Sequence, residues 1–236
     1  MAPAKSVVVY SGRPRGGRRF QPTHELALSG DALVAATTLP DAHLGVRVLI
    51  ETSGPFGVPD LLALVGDPSS LERRLGSQVP PLLNRIDAGI VSACSSKTPR
   101  AAEAIAKSLG WSLSTIKRRV PGLVRSGALH VVPSGALIRA EELTAAGRLY
   151  AIEAKVKDWR RALTQGRRYS VWCDSYIIVM PELPAGSSAQ LVTEVKSDRA
   201  GLVLGGKWVT RPRLGKRTQA QRLWGSEHVV AAVRGG

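Results

Sequence analysis

The chain has 236 residues, of which 44% are hydrophobic and 22% charged, so it can bury the core of one large domain or two smaller ones. This composition excludes a disordered, collagen-like or disulfide-stapled chain. The net charge of +15 and the isoelectric point near 10.7 are unusual for a metabolic enzyme and indicate a polyanionic partner.

The chain also has features that bear on its location. Cys94 and Cys173 form no CxxC pair and suit a reducing compartment. No apolar run reaches the roughly 18 residues of a membrane span, and the first residues lack the apolar segment of a secretory signal. We therefore expect a cytoplasmic protein with no membrane contact, associated with the nucleoid if the polyanion is DNA.

Two stretches are basic and contain no acid. Residues 1–22 form a predicted basic arm, and residues 207–222 form a second stretch. Their cations are, in order, Lys5, Arg13, Arg15, Arg18 and Arg19, and then Lys207, Arg211, Arg213, Lys216, Arg217 and Arg222. Solvated tails or GC-rich coding are the alternatives to nucleic-acid binding.

The first half of the chain predicts a helix and two strands. Residues 24–38 are a helix candidate, and residues 46–52 and 60–65 have the apolar, β-branched composition of strands. Glycine and proline separate the two strands. Residues 66–80, with glycine, proline and serine, resemble a linker.

The middle of the chain predicts three helices and a hairpin. Residues 81–94 have helical spacing, and Thr98 and Pro99 predict the start of a second helix that ends at Gly110. Ser112 or Ser114 then caps a third helix, and residues 130–140 contain two short strands. This order is that of a winged helix-turn-helix.

From residue 149 the pattern alternates again. Residues 149–156 predict a strand, Asp158 begins a helix, and residues 176–181 predict a buried strand. A helix over 186–198, a strand pair over 201–210 and a helix over 217–234 complete the chain.

Three charged residues in apolar strands indicate a catalytic site. Asp60 begins one strand, and Glu153 and Lys155 are two residues apart on another, so they project from the same face. Burying such charges is costly unless they are used. Two carboxylates at adjacent strand ends suit Mg²⁺ or Mn²⁺, which can activate a phosphodiester, while the lysine orients water or neutralises charge.

The segments GVPDLLAL (57–64) and AIEAKVKDW (151–159) resemble the two halves of the PD-(D/E)xK nuclease motif. Holliday-junction resolvases and many restriction enzymes belong to this superfamily. The resemblance implies an α/β fold with a restriction-endonuclease-like αβββαβ core, formed by residues 23–80 and 146–236, with the winged helix (81–145) inserted. Gln165 and Tyr169 match the polar and aromatic residues that many members carry after the motif.

The resemblance implies that Asp60 and Glu153 bind the metal and that Lys155 and Gln165 assist catalysis. Glu51 is a candidate for a further metal ligand, and Glu25 on the first helix is the alternative. The ordinary explanation is that Glu153 and Lys155 form an ion pair on an exposed strand while Asp60 caps a turn.

The third helix of the winged region carries the cations expected to contact DNA. Ser114 and Thr115 lie at its N-terminus, where base edges are usually contacted. The other candidate DNA contacts are Lys117, Arg118, Arg119, Arg125, Arg139, Arg168 and Tyr169. Pro121 is unusual inside such a helix and could break it. Three-helix modules also serve as protein-docking or dimerisation units.

The sequence thus predicts a Mg²⁺-dependent DNA endonuclease that acts on double-stranded or branched DNA. The alternatives are a DNA-binding regulator with a non-catalytic scaffold and a nuclease subunit of a transposase, repair or defence assembly. Because one such core cuts one strand at a time, we also hypothesise a homodimer that uses the apolar segments Leu202–Val209 and Leu223–Val233.

Overall fold

The computed structural model describes residues 6–11 and 28–235. Most of the predicted basic arm, the start of the predicted 24–38 helix and Glu25 lie outside these ranges. The described residues form a mixed seven-stranded sheet flanked by helices, which confirms the predicted α/β class. None of the described helices combines the length and apolar character needed to cross a bilayer.

The strands of the main sheet follow the order β1-β2-β3-β6-β7-β8-β9. They are β1 (Val7–Ser11), β2 (Val46–Ile50), β3 (Leu61–Val65), β6 (Arg148–Ala154), β7 (Ser175–Met180), β8 (Gly201–Leu204) and β9 (Lys207–Thr210), while β4 (Leu129–Val131) and β5 (Leu137–Arg139) form a separate hairpin. Strands β2, β3 and β6 are antiparallel neighbours, and β6, β7 and β8 are parallel.

Eight α-helices lie within the described ranges. They are α1 (Ser29–Thr37), α2 (Pro68–Gly76), α3 (Arg85–Ala93), α4 (Ala102–Leu109), α5 (Leu113–Arg125), α6 (Trp159–Tyr169), α7 (Ala185–Ser197) and α8 (Gln219–Gly235). Helix α1 covers one face of the sheet, and α6, α7 and α8 cover the other. Because side chains alternate along a strand, β3 contributes Leu62 and Leu64 to one core and Leu61 and Ala63 to the other.

The ends of three strands differ from the predicted limits. Strand β2 ends at Ile50 because Glu51 adopts a left-handed backbone conformation, with φ of 47°. Asp60 lies one residue before β3, and Lys155 one residue after β6. These charged residues therefore stand at strand ends rather than inside strands.

The predicted linker over 66–80 is wrong, because it contains helix α2. Asp67 accepts a hydrogen bond from the backbone nitrogen of Ser69 at 3.0 Å, and Pro68 occupies the first turn, a common helix start. Leu71 and Arg74 are buried against the rest of the protein. Tertiary burial of these two residues stabilises a helix that composition alone concealed.

The predicted helix start at Thr98 and Pro99 is also wrong. Helix α4 begins at Ala102, without a side-chain cap. Arg100 instead forms two backbone hydrogen bonds of 2.9 Å with Leu137 of β5. The proline therefore precedes an extended residue that joins the hairpin.

Of the two predicted caps of helix α5, the structure uses Ser112, whose hydroxyl accepts a hydrogen bond from the nitrogen of Thr115 at 3.2 Å. The helix continues through Pro121 to Arg125 and does not break. Pro121 and Lys117, whose carbonyl loses its helical donor, are both exposed. Water can therefore replace the missing hydrogen bond.

Helix α8 joins the 81–145 region to the sheet. It packs along α3, and one apolar core extends from the sheet into the three helices α3–α5. The Trp224 indole donates to the Leu83 carbonyl at 2.9 Å. Leu202, Leu223 and Val230 are all buried, so much of the two segments proposed as a dimer patch contributes to the core of the chain itself. The homodimer stays a prediction.

Candidate active site

Asp60, Glu153 and Lys155 converge where β3 begins and β6 ends. Asp60 Oδ2 accepts a hydrogen bond of 2.7 Å from the backbone nitrogen of Ala154. Lys155 Nζ lies 3.0 Å from Glu153 Oε1 and 3.8 Å from Asp60 Oδ2. Antiparallel pairing of β3 with β6 places the three side chains together, because Leu61 is directly opposite Ile152.

The cluster is buried. Glu153 is 0% exposed and Lys155 5%, and the neighbouring positions of β6 are buried too. The alternative of an ion pair on an exposed strand is therefore wrong. One carboxylate and one ammonium are removed from water, and a second carboxylate, Asp60, is only 17% exposed beside them. Such a group is costly, which indicates a use beyond stability.

The protonation of Glu153 is poised near neutrality. Burial, followed by the charge of Asp60, raises the pKa of Glu153 from 4.5 to about 7, and the Lys155 ammonium and the Tyr169 hydroxyl counteract part of this rise. Perturbed carboxylates of this kind concentrate at functional sites.

Helix α6 places the side chain of Tyr169 in contact with Glu153. The Tyr169 hydroxyl lies 2.9 Å from Glu153 Oε2 and 3.1 Å from the Val58 carbonyl. It can donate its one hydrogen bond to either the carboxylate or the loop before β3. Burial and the Glu153 charge raise the pKa of this hydroxyl well above its usual range. Gln165 is one helical turn away, and its buried Oε1 has no hydrogen-bond partner among the described residues.

The loop between β2 and β3 closes the site. Gly54 and Gly57 face each other across a 2.9 Å backbone hydrogen bond. Gly54 packs on the Trp172 ring so closely that a Cβ would lie 2.2 Å from it. Phe56 at the tip is about half exposed and meets Trp224 edge to face. The loop is thus held on aromatic rings.

The oxygen atoms of the cluster fit a hard divalent cation. The Lys155 ammonium faces Glu153 Oε1, Asp60 Oδ2 and, at 3.1 Å, the Ala154 carbonyl. Oxygens that converge on one positive charge are the ligands that Mg²⁺ or Mn²⁺ prefers, usually with several waters. Across residues 6–11 and 28–235, no three His, Cys, Asp or Glu side chains converge as a metal site.

Glu51 lies close to the cluster. Its backbone nitrogen donates to the Asp60 carbonyl at 3.0 Å. Glu51 and Asp60 both line an apolar cavity of about 260 Å³ between α1 and the sheet. Its role as a further ligand stays a prediction, and the alternative, Glu25, lies outside the described residues.

The candidate DNA contacts of α5 differ in whether their side chains already bond to other residues of the chain. Arg119 forms a two-pronged pair with Asp87 of α3, with Nε 2.7 Å from Oδ1. Lys117 is exposed and 3.8 Å from Glu103. The side chains of Ser114 and Thr115 both contact the Ser112 hydroxyl. Arg118 and Arg125 are exposed, and this face of α5 remains the most accessible cationic part of the helix.

The remaining candidates lie apart from this helix. Arg139 donates to the Leu143 carbonyl from within the hairpin region. Arg168 is exposed on α6, while its neighbour Arg167 pairs with Glu194 and Asp198 of the following segment. Tyr169 is only 2% exposed, so the structure places it beside Glu153 rather than on the surface.

Sequence reasoning missed two contributions to the site. The Ala154 backbone, which binds Asp60 through its nitrogen and Lys155 through its carbonyl, has no sequence signal. Trp172, which supports the loop at Gly54, follows Tyr169 by three residues. A second aromatic so close to the motif helix was a signal that could have been used.

Comparisons of the chain with protein-family models, with curated proteins and with solved structures found no match.

Proposed function

We propose that this protein is a metal-dependent DNA endonuclease of the PD-(D/E)xK type, with an inserted winged helix that binds duplex or branched DNA. The observation that carries the proposal is the buried convergence of Asp60, Glu153 and Lys155 at neighbouring strand ends. The order helix, strand, strand, strand, helix, strand from α1 to β7 supports it. The proposal places the protein in the cytoplasm, on the nucleoid.

Each residue of the cluster has a role in this proposal. Asp60 and Glu153 hold Mg²⁺ or Mn²⁺, which when bound polarises the scissile phosphodiester. The Lys155 ammonium stands beside both carboxylates and neutralises charge that builds up on the phosphate. The Tyr169 hydroxyl holds Glu153 or the adjacent loop in position, and Gln165 orients the substrate or Lys155. A water oxygen bonds to phosphorus as the bond to the leaving oxygen breaks, and one proton of the water passes through solvent to the leaving oxygen.

The winged region supplies DNA affinity in this proposal. Its exposed cations on α5 contact phosphates, and the serine and threonine at the helix start reach base edges. The strong net positive charge of the chain supports a phosphate-rich partner.

The test is cleavage of supercoiled, linear and branched DNA with Mg²⁺ or Mn²⁺. Asp60→Asn, Glu153→Gln and Lys155→Met are each expected to abolish cleavage and to leave DNA affinity largely intact, because the three residues act on the transition state. Asp41→Asn is the matched control, since Asp41 is partly exposed and paired with Arg148 away from the site.

Cleavage by Glu153→Gln at the wild-type rate would overturn the assignment. DNA binding that survives EDTA, with no cleavage of any substrate, would favour a regulator with a non-catalytic scaffold. Activity that needs an added protein would favour a subunit of a larger assembly. Light scattering tests the homodimer separately.

A further inference from the structure

A basic groove lies near the β9 edge of the sheet, away from Asp60. We call the basic groove the cleft of about 580 Å³ whose cations are Lys196, Arg199, Arg211 and Arg213. It opens where α7 ends, β8 begins and β9 ends. Strand β9, which borders the groove, is the third strand from β6 in the sheet, about 14 Å away at ordinary strand spacing. The groove also lies at the start of β8, whereas the candidate active site lies at the end of β6, which runs parallel to β8.

No carboxylate lines the groove, although acids are close in sequence. Glu194 and Asp198 are both turned to Arg167, at 2.6 Å and 2.7 Å. Asp198 also accepts a hydrogen bond of 2.5 Å from the Tyr176 hydroxyl. In the described parts of the chain, no hydrogen bond or ion pair reaches the side chains of Lys196, Arg199 and Arg213, so these charges are available to a ligand.

The backbone of the groove is fixed. Arg199 adopts a left-handed conformation, with φ of 57°, and its carbonyl accepts a hydrogen bond of 2.8 Å from the nitrogen of Arg213. Arg211 stacks on Trp208 with 5.0 Å between its guanidinium carbon and the ring, and donates to the Thr38 carbonyl at 2.6 Å. The left-handed residue ends α7, because the nitrogen of Ala200 then reaches the Val195 carbonyl at 2.9 Å, and this cap fixes where the Arg199 backbone stands.

One polar atom in the groove also lacks a partner. Thr210 Oγ1 is buried and has no hydrogen bond within the described residues. A hydroxyl is both donor and acceptor, so Thr210 leaves one hydrogen-bonding group unused at the edge of the groove. The arginine side chains of the groove are suited to phosphate, because a guanidinium binds phosphate oxygens in a forked geometry.

We propose that the basic groove binds backbone phosphates of nucleic acid, outside both the winged region and the candidate active site. The basic stretch continues beyond the groove with exposed Lys207 and Lys216 and contains no acid. One small anion cannot contact cations spread along so many residues, whereas a phosphate backbone can. The inference rests on the proposed DNA partner but not on cleavage.

The experiment measures affinity for a short DNA duplex by fluorescence anisotropy without divalent metal, over a series of salt concentrations. Arg199→Gln/Arg213→Gln should weaken binding about tenfold and lower the slope of log K against log salt by about 1.8, since each lost phosphate contact contributes about 0.9. The control, Arg73→Gln/Arg148→Gln, removes the same charge from exposed or half-exposed positions outside the winged region, the groove and the candidate active site, and should leave the slope unchanged. Lys196→Gln/Arg213→Gln replaces the first pair if Arg199→Gln impairs folding.

A second readout is local. The indole NMR signal of Trp208, assigned with Trp208→Phe, should shift on titration with duplex and stay in place in the groove variant. Equal salt slopes for the groove and control variants would overturn the inference. So would a Trp208 signal that responds to inorganic phosphate but not to duplex, which would show a small-anion site. Wild-type protein that binds no DNA would instead contradict the proposed function itself.

Discussion

Two buried ionic groups in this molecule differ in how completely their atoms are satisfied. Arg74 and Glu227 are both 0% exposed. Both oxygens of Glu227 accept from Arg74, at 2.8 Å and 2.7 Å, and one also accepts from the nitrogen of Leu82. The remaining Arg74 donors bind the carbonyls of Val79 and Pro80.

The Glu153 carboxylate is also 0% exposed, but one of its oxygens is less completely bonded. Glu153 Oε1 faces the Lys155 ammonium at 3.0 Å but accepts no well-aligned hydrogen bond from the described residues. Its carboxyl also has a pKa raised to about 7. A buried group with all partners supplied stabilises the fold, whereas one that lacks partners has capacity left for a ligand. The comparison therefore separates a structural pair from a functional site.

The largest effect is expected at the structural pair. Glu227→Ala leaves Arg74 buried without its partner and should cost about 3–5 kcal/mol in the free energy of unfolding. Urea denaturation measures it. Asp41→Asn, at the half-exposed pair with Arg148, should cost less than about 1 kcal/mol. If both substitutions cost the same, the Arg74 pair is not the structural element described.

The loop of the functional site is expected to be the next most sensitive. Gly54→Ala puts a Cβ 2.2 Å from Trp172 and should destabilise the protein by about 1–3 kcal/mol. It should also slow DNA cleavage, because the loop joins Glu51 to Asp60. Gly30→Ala, in α1 with nothing within 4 Å, should be neutral or stabilise by up to about 1 kcal/mol. Thermal unfolding and cleavage rates of the two variants measure these effects. Equal melting temperatures for Gly54→Ala and Gly30→Ala would contradict the close packing of Gly54 on Trp172.

The functional group is expected to respond to pH in the opposite sense to an ordinary acid. Folding raises the pKa of Glu153 from 4.5 to about 7, so the folded state favours the neutral carboxyl. Its contribution to stability is fully present below pH 4.5 and is lost as the pH rises through 7. Glu153→Gln, which stays neutral, should gain about 1–3 kcal/mol relative to wild type at pH 8 and much less at pH 5. A gain that is the same at both pH values would refute the raised pKa.

The smallest effects are expected on α5, where neighbouring arginines have different partners. Arg119→Gln breaks the pair with Asp87 and should lower stability by less than about 1 kcal/mol. Exposed Arg118→Gln should leave stability unchanged but lower the salt slope of DNA binding by about 0.9. Denaturation and binding titrations of both variants provide the measurements. An unchanged salt slope in Arg118→Gln would mean that this face of α5 faces protein rather than DNA.

The candidate site was predictable because its signal is local. Glu153 and Lys155 interrupt an apolar strand, and Asp60 follows a proline directly before another. Charged residues are rarely buried, so such interruptions are visible in a single sequence. The involvement of Tyr169 with Glu153, by contrast, follows from how α6 lies across β6.

Local signals failed where a distant contact outweighed them. Thr98 and Pro99 have the pattern of a helix start, but the pairing of Arg100 with Leu137 extends the chain there. Residues 66–80 resemble a linker, but Arg74 finds Glu227 153 positions later. Glu227 among the apolar residues of α8 was the one visible hint of that partner.

The sequence by itself determined the α/β class, the helical and strand character of most segments, the caps of α5 and the three charged residues of the candidate site. These depend on periodicity, local capping and the cost of burying charge, all of which act over a few residues. Only the tertiary structure decided that α8 contributes to the core, that Arg119 pairs with Asp87, and that no acid lines the basic groove. Those outcomes depend on which distant side chains meet, and a one-dimensional pattern does not specify long-range contacts of this kind.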